Sequence, residues 1–189
     1  MLKLYSILIY IFLSAGINAQ TLTFEKYGVS EGLSSNTVFS TIEDKDGFIW
    51  ISTEEGVDRF DGSNFKHYSL PNLYEYRTVN DVEYYLKIDS KNQIWLITLG
   101  GLLYKYDAKQ DQFVLYYKIK DESNQSLYTF FIDHEDNLWF GMQNGVLILN
   151  PMTKLFRGIP AIENQVSAII QDKDNRYYLG TDNGILVLD

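Results

Sequence analysis

The sequence predicts an all-β fold, a partial β-propeller made of about four blades of four antiparallel strands each. One unit of roughly 40 to 45 residues occurs four times along the chain. Each unit contains short β-prone runs joined by turns, as antiparallel meanders do. Aromatic residues make up 15% of the 189 residues, which favours strands. A repeat of this length with four strands is typical of a propeller blade.

The first nineteen residues, Met1–Ala19, have the features of a signal peptide. Lys3 supplies a positive charge, and Leu4–Ala15 is an apolar run shorter than the ~20 residues that a membrane span needs. Ala19 places a small residue before the predicted cut, with Gln20 as the new N-terminus. The alternative is a retained N-terminal anchor helix. We expect cleavage and export to the periplasm, with residues 20–189 forming the propeller.

The four units align on an aromatic residue in the middle of a strand. An aspartate lies six residues before this aromatic residue, and a glycine lies six residues after it. In chain order these positions are Asp44, Trp50 and Gly56; Asp89, Trp95 and Gly101; Asp133, Trp139 and Gly145; and Asp172, Tyr178 and Gly184. Agreement at so many positions predicts one repeated structural unit, with blades over approximately residues 36–70, 80–118, 126–158 and 165–189.

The first unit shows the elements in order. Strands are predicted at Val38–Ile42, Phe48–Thr53, Val57–Phe60 and Phe65–Tyr68, with a turn after each of the first three. The residue three positions before the aromatic residue falls in the first turn. It is Gly47, Asn92, Asp136 or Asn175. Since Gly, Asn and Asp all tolerate the left-handed conformation, this position predicts a short hairpin loop.

A further strand is predicted at residues 21–27, because Thr23–Tyr27 resembles the fourth-strand run Phe65–Tyr68. Such a strand could complete the last blade and close a four-bladed ring, or it could lie on the outside. We favour an open arc, because four blades would make a very small, steeply twisted ring. An open arc exposes an apolar blade face at each end, and this exposure predicts self-association or a homodimer.

The first repeat, GLSSNTVFSTIEDKDGFIWISTEEGVDRFDGSNFKHY (Gly32–Tyr68), resembles the two-component regulator propeller repeat. The later repeats match more loosely: Tyr178 replaces the tryptophan in the fourth, and Met142 stands where the others have threonine. The resemblance implies an N-terminal fragment of the periplasmic sensor region of a hybrid two-component histidine kinase. It further implies oligosaccharide ligands, and as partners the missing downstream blades and the kinase domains of a longer sensor.

Charge and composition argue against several other functions. The net charge of −9 and the absence of a basic cluster disfavour nucleic-acid binding. The absence of cysteine excludes disulfides, thiolate catalysis and Cys-ligated zinc. The two histidines, His67 and His134, lie in different repeats and form no metal-binding motif. We therefore expect neither a metal nor a cofactor.

The repeated aspartates could serve acid–base catalysis, or each could cap its own turn. Recurrence in every unit favours capping, since a catalytic pair would occur once. Asp44–Gly47 and Asp172–Asn175 resemble the start of a calcium loop but lack its remaining ligands. We expect no catalytic residue and no enzyme activity in this chain, which shows no kinase motifs.

Ligand contacts are predicted in the long insertion between the first two repeats, residues 70–81. Tyr74 and Tyr76 could stack on sugar rings, and Arg77 could donate hydrogen bonds. Tyr117 is a further aromatic residue outside the repeat pattern. Insertions in repeat proteins often form the binding face. Two alternatives to a sensor remain: a propeller enzyme such as a lyase or glycosidase, and a fragment with no activity of its own.

Overall fold

The computed structural model describes residues 22–71, 83–119 and 126–189. Within these ranges the chain forms a short 3₁₀ helix, Val29–Glu31, and fifteen strands in four antiparallel sheets. None of the helical structure in these ranges is long and apolar enough to cross a membrane. The predicted all-β class and the meander of each unit are confirmed.

Each sheet is one blade, in which strands pair in chain order from the first to the last. Blade 1 contains β1 (Val38–Glu43), β2 (Ile49–Thr53), β3 (Gly56–Phe60) and β4 (Phe65–Tyr68). Blade 2 contains β5 (Tyr84–Ile88), β6 (Ile94–Thr98), β7 (Leu102–Asp107) and β8 (Gln112–Lys118). Blade 3 contains β9 (Leu127–Ile132), β10 (Leu138–Met142), β11 (Gly145–Asn150) and β12 (Leu155–Gly158). Blade 4 has three strands, β13 (Val166–Gln171), β14 (Tyr177–Thr181) and β15 (Gly184–Leu188).

The first turn of every blade contains a residue in the left-handed region, as the sequence predicts. The φ angles are 83° at Gly47, 63° at Asn92, and 65° at both Asp136 and Asn175. Side chains other than Gly, Asn and Asp adopt this conformation at a cost. The residue type at this position therefore sets the tight connection between the first two strands.

Alternating side chains give each blade two faces. We call the face that bears Trp50, Trp95, Trp139 or Tyr178 the tryptophan face. Trp50 packs with Leu86 and Leu96 of blade 2, Trp95 with Phe130 and Phe140 of blade 3, and Trp139 with Ile169 and Leu179 of blade 4. The tryptophan face of each blade thus meets the opposite face of the next, and one apolar core lies at each junction.

Residues 22–27, the start of the described chain, do not complete blade 4. Residues 22–27 form no strand, and the Tyr27 ring packs on Phe60 of blade 1 with centroids 4.9 Å apart. The prediction of a closing or outer strand at residues 21–27 is therefore wrong for residues 22–27. The physical reason is an anchor just downstream: the Ser34 backbone N–H donates to the buried Asp58 carboxylate of β3 at 3.0 Å. This bond holds the incoming chain on blade 1.

Candidate functional site

The repeated aspartates cap their turns. In blade 1, Asp44 Oδ1 accepts hydrogen bonds from the backbone N–H groups of Asp46 at 2.9 Å and Phe48 at 3.0 Å. The same pair of bonds forms at Asp89, Asp133 and Asp172. These bonds satisfy amide groups that a two-strand connection leaves free of the ladder.

The second oxygen of each aspartate accepts a hydrogen bond from the aromatic residue six positions later. The indole Nε1 donates at 2.7 Å from Trp50 to Asp44, at 3.0 Å from Trp95 to Asp89 and at 2.8 Å from Trp139 to Asp133; in blade 4 the Tyr178 hydroxyl donates to Asp172 at 3.1 Å. Sequence reasoning missed this bond. The constant spacing, and the need of a buried indole N–H for an acceptor, are the signals that could have found it.

Turns of successive blades are joined by hydrogen bonds. The Lys45 N–H of blade 1 donates to Asn92 Oδ1 of blade 2 at 2.9 Å. The Ser90 N–H and hydroxyl of blade 2 both donate to the Asp136 carboxylate of blade 3 at 2.8 Å. Burial opposes ionisation of Asp136, but the Ser90 bonds and the Lys91 ammonium outweigh it and hold the pKa of Asp136 below its ordinary value. At these two junctions the left-handed turn residue is thus also the acceptor between blades.

Both histidines bond to neighbouring side chains or turns. His67 Nδ1 lies 3.3 Å from the Oδ1 atom of buried Asp58. The His134 N–H donates to Gln171 Oε1 at 2.8 Å, and its ring Nδ1 lies 3.2 Å from Asn175 Oδ1. Within residues 22–71, 83–119 and 126–189, no three His, Asp or Glu side chains are grouped so that they could hold a metal ion.

A polar cluster lies at the outer edge of the junction between blades 1 and 2. Asp111, in the turn between β7 and β8, accepts hydrogen bonds from the hydroxyls of Tyr68 at 2.8 Å and Tyr106 at 2.7 Å, and pairs with the Lys66 ammonium. Lys66, together with Tyr106 and Tyr68, lowers the pKa of Asp111 far below its ordinary value. Burial, then the bond to Asp111, raises the pKa of Tyr68. The cluster therefore combines an ionised carboxylate with neutral phenols.

Beside this cluster is an open cleft of about 250 Å³. Its lining residues are Lys66, His67, Tyr68, Ser69, Pro71, Asp111, Gln112 and Phe113. Charged and amide groups thus border aromatic rings, a combination that suits a hydroxylated ligand. Sequence reasoning missed this site, because its residues come from two different repeats.

The predicted ligand contacts are not brought into this cleft. Tyr74, Tyr76 and Arg77 lie outside the described residues, although Pro71 of the cleft wall begins their segment. Tyr117 is about half exposed and packs against Phe156 of blade 3, with ring centroids 4.7 Å apart. Its ring therefore covers the junction between blades 2 and 3.

A sequence model of the two component regulator propeller family matches residues 32–55 and 161–183. These segments contain the first two strands of blades 1 and 4, with the capping aspartate and its aromatic partner in each. Two segments of the chain are therefore similar to the two component regulator propeller repeat.

One curated relative of these propeller repeats is histidine kinase P4 of Formosa agariphila. It is 33% identical over 66 residues, which are 34% of this chain and 5% of that protein. The chain therefore spans a small part of the kinase it matches.

Solved propellers share the fold. The extracellular domain of a hybrid two component system from B. thetaiotaomicron is 26% identical, with a TM-score of 0.68 over 87% of this chain and 25% of that one. A second such domain from B. thetaiotaomicron is 23% identical, with a TM-score of 0.69 over 89% of this chain and 23% of that one. Virginiamycin B lyase of Staphylococcus aureus is 15% identical, with a TM-score of 0.60 over 84% of this chain and 57% of that one. The lyase and the second domain show the fold alone.

Proposed function

We propose that this chain is a ligand-sensing, non-catalytic propeller module of a two-component signal-transduction sensor on the periplasmic side of the membrane. The observation that carries the proposal is the likeness of its repeats to the two component regulator propeller family, supported by the 26% identical extracellular domain. The predicted signal peptide, Met1–Ala19, supports export. The kinase domains of a longer sensor would receive the signal.

The chemistry of the repeat supports a non-catalytic role. Each repeated carboxylate bonds backbone amides through one oxygen and an aromatic donor through the other. An acid or base for catalysis needs a lone pair or proton free for the substrate. In Asp44 and its equivalents, both carboxylate oxygens accept hydrogen bonds that stabilise the fold.

The cleft beside Asp111 supports a hydroxylated ligand, and we propose an oligosaccharide. The Gln112 amide can bond sugar hydroxyls, and the exposed Pro71 ring offers apolar surface for a sugar ring. Lys66 adds a cation that favours acidic sugars. The predicted residues Tyr74, Tyr76 and Arg77 follow directly after this cleft in the chain and would extend it.

The proposal is tested by calorimetric titration of residues 20–189 with sized pools of neutral and acidic plant and algal oligosaccharides. We expect saturable binding that Gln112→Ala and Tyr76→Ala weaken. Gln143→Ala is the matched control, because it makes the same substitution at an exposed turn of blade 3 that does not line the cleft. Chromatography of the incubated pools should show unchanged sugars.

Two outcomes would contradict the proposal. Shortened or unsaturated sugar products would favour a lyase or glycosidase. If neither Gln112→Ala nor Tyr76→Ala changed the binding, the cleft would not be the ligand-binding site.

A further inference from the structure

The two walls of the cleft beside Asp111 come from different blades. Pro71, which follows β4 of blade 1, forms the apolar wall, and Gln112, at the start of β8 in blade 2, forms the polar wall. Connecting segments move more than the strands they join. A site built from two such segments therefore keeps its shape only where bonds from the packed core hold each wall in place.

Tyr104 of blade 2 holds the wall that belongs to blade 1. Its hydroxyl donates a hydrogen bond to the Pro71 carbonyl oxygen at 2.9 Å, and Tyr104 is fully buried. The ring belongs to the apolar core between blades 1 and 2, which also contains Trp50 and Leu86. Because close packing restricts a buried ring to one position, the hydroxyl fixes Pro71 relative to this core.

Tyr68 of blade 1 holds the wall that belongs to blade 2. Its hydroxyl donates to Asp111 Oδ1 at 2.8 Å, and Asp111 directly precedes Gln112 in the chain. Tyr68 is buried in the same apolar core as Tyr104. Tyr106 and Lys66 also bond the Asp111 carboxylate. The hydroxyls of Tyr68 and Tyr104 thus cross the junction in opposite directions, and each holds one wall of the cleft.

The repeat itself does not require a tyrosine at position 104. Tyr104 pairs with Leu96, the residue after the tryptophan of blade 2. The residues paired in the same way in blades 1, 3 and 4 are Asp58, Leu147 and Leu186. A leucine therefore serves the blade at this position twice. The hydroxyl is an additional feature of blade 2, and it occurs at the junction that contains the cleft.

We propose that Tyr104 and Tyr68 are positioning residues of the cleft. Tyr104 fixes Pro71, and Tyr68 fixes the turn that carries Gln112, so that the two walls stand at the binding separation before a ligand arrives. Walls that are already ordered reduce the entropy lost on binding. Both tyrosines act through another residue and not by contact with the ligand. This inference rests on the proposed function, because it assigns roles at the proposed ligand site.

The junction between blades 2 and 3 supplies a matched control. There the Tyr116 hydroxyl donates to the Pro151 carbonyl oxygen, also at 2.9 Å. Pro151 lies in the turn between β11 and β12, and neither residue lines the cleft. Tyr116→Phe and Tyr104→Phe each remove one tyrosine–proline bond between neighbouring blades. Both should lower the midpoint of thermal unfolding by a similar amount, so an effect on the cleft alone separates positioning from general stability.

The first measurement needs no ligand. Ser69→Cys and Lys109→Cys place one thiol on each side of the cleft in residues 20–189, and the sequence contains no other cysteine. Spin labels on these thiols report the separation of the two walls by pulsed electron resonance. We expect a narrow distance distribution in the labelled parent and in its Tyr116→Phe variant, and a broader one with Tyr104→Phe. Equal widths in all three proteins would overturn the proposal.

The second measurement titrates unlabelled variants with the same oligosaccharide pools. We expect Tyr104→Phe to weaken binding roughly threefold to tenfold, the worth of one hydrogen bond. Tyr68→Phe should weaken it less, because Tyr106 and Lys66 still hold Asp111, and Tyr116→Phe should leave it unchanged. Equal weakening by Tyr104→Phe and Tyr116→Phe, or none by Tyr104→Phe, would overturn the proposal. If the unmodified chain binds no pool, the proposed function fails, and the label distances alone decide the positioning role.

Discussion

Blades 3 and 4 share one repeat pattern but differ in what covers them. Trp139 of blade 3 is 3% exposed and stacks on Tyr177 of blade 4 with centroids 4.3 Å apart, whereas Tyr178 at the equivalent position is only half buried. Both aromatic residues bond the aspartate of their own turn. The repeat thus determines the internal hydrogen bonds of a blade, while the burial of its apolar face depends on the next blade.

The largest expected contrast is between Trp139→Ala and Tyr178→Ala. Removing the buried indole should cost ~3–5 kcal/mol of unfolding free energy, because it leaves a cavity and removes the hydrogen bond to Asp133. Tyr178→Ala should cost about 1 kcal/mol, because solvent already reaches the ring. Denaturant titration of both variants measures the difference, and equal losses would mean that blade 4 is covered in solution.

A smaller contrast is expected between Gly145→Ala and Gly184→Ala. Both place an alanine at a positive φ, which costs about 1–2 kcal/mol. Gly145→Ala must in addition displace the Ile162 carbonyl, whereas Gly184→Ala meets open space. The thermal midpoint should therefore fall further for Gly145→Ala. An equal fall for Gly184→Ala would mean that another segment packs against Gly184 in solution.

The smallest effect concerns acid sensitivity at a covered junction. The pKa of Asp136 is lowered in the folded protein, so its contribution is present above the unfolded-state value and is lost as pH falls below about 4. Asp136→Asn keeps the left-handed turn and should flatten the loss of stability between about pH 5 and 3 by less than about 1 kcal/mol. Unfolding titrations across this range give the slopes. Parallel slopes for wild type and variant would contradict the assigned role of Asp136.

Local sequence patterns predicted the blades well, because their causes are local. Left-handed turn residues such as Asn92 and Asp136 determine the conformation of their own turn. The alternation of side chains between the two faces of a strand likewise involves only neighbouring positions. The cluster around Asp111 was missed because Lys66 and Tyr106 come from different repeats and meet only when blades pack. The segment at residues 22–27 was misassigned because its aromatic pattern matches a fourth strand, whereas the Ser34–Asp58 bond decides which blade it joins.

Blade 4 presents an uncovered copy of the face that joins the other blades. Hydrogen exchange of four equivalent backbone amides tests this difference in dilute, unmodified residues 20–189. The amides of Lys45, Ser90 and His134 donate to the following blade. We predict measurable protection at these three positions and exchange near the unprotected rate at Lys173. Protection at Lys173 equal to that at His134, in a monomer, would contradict the account.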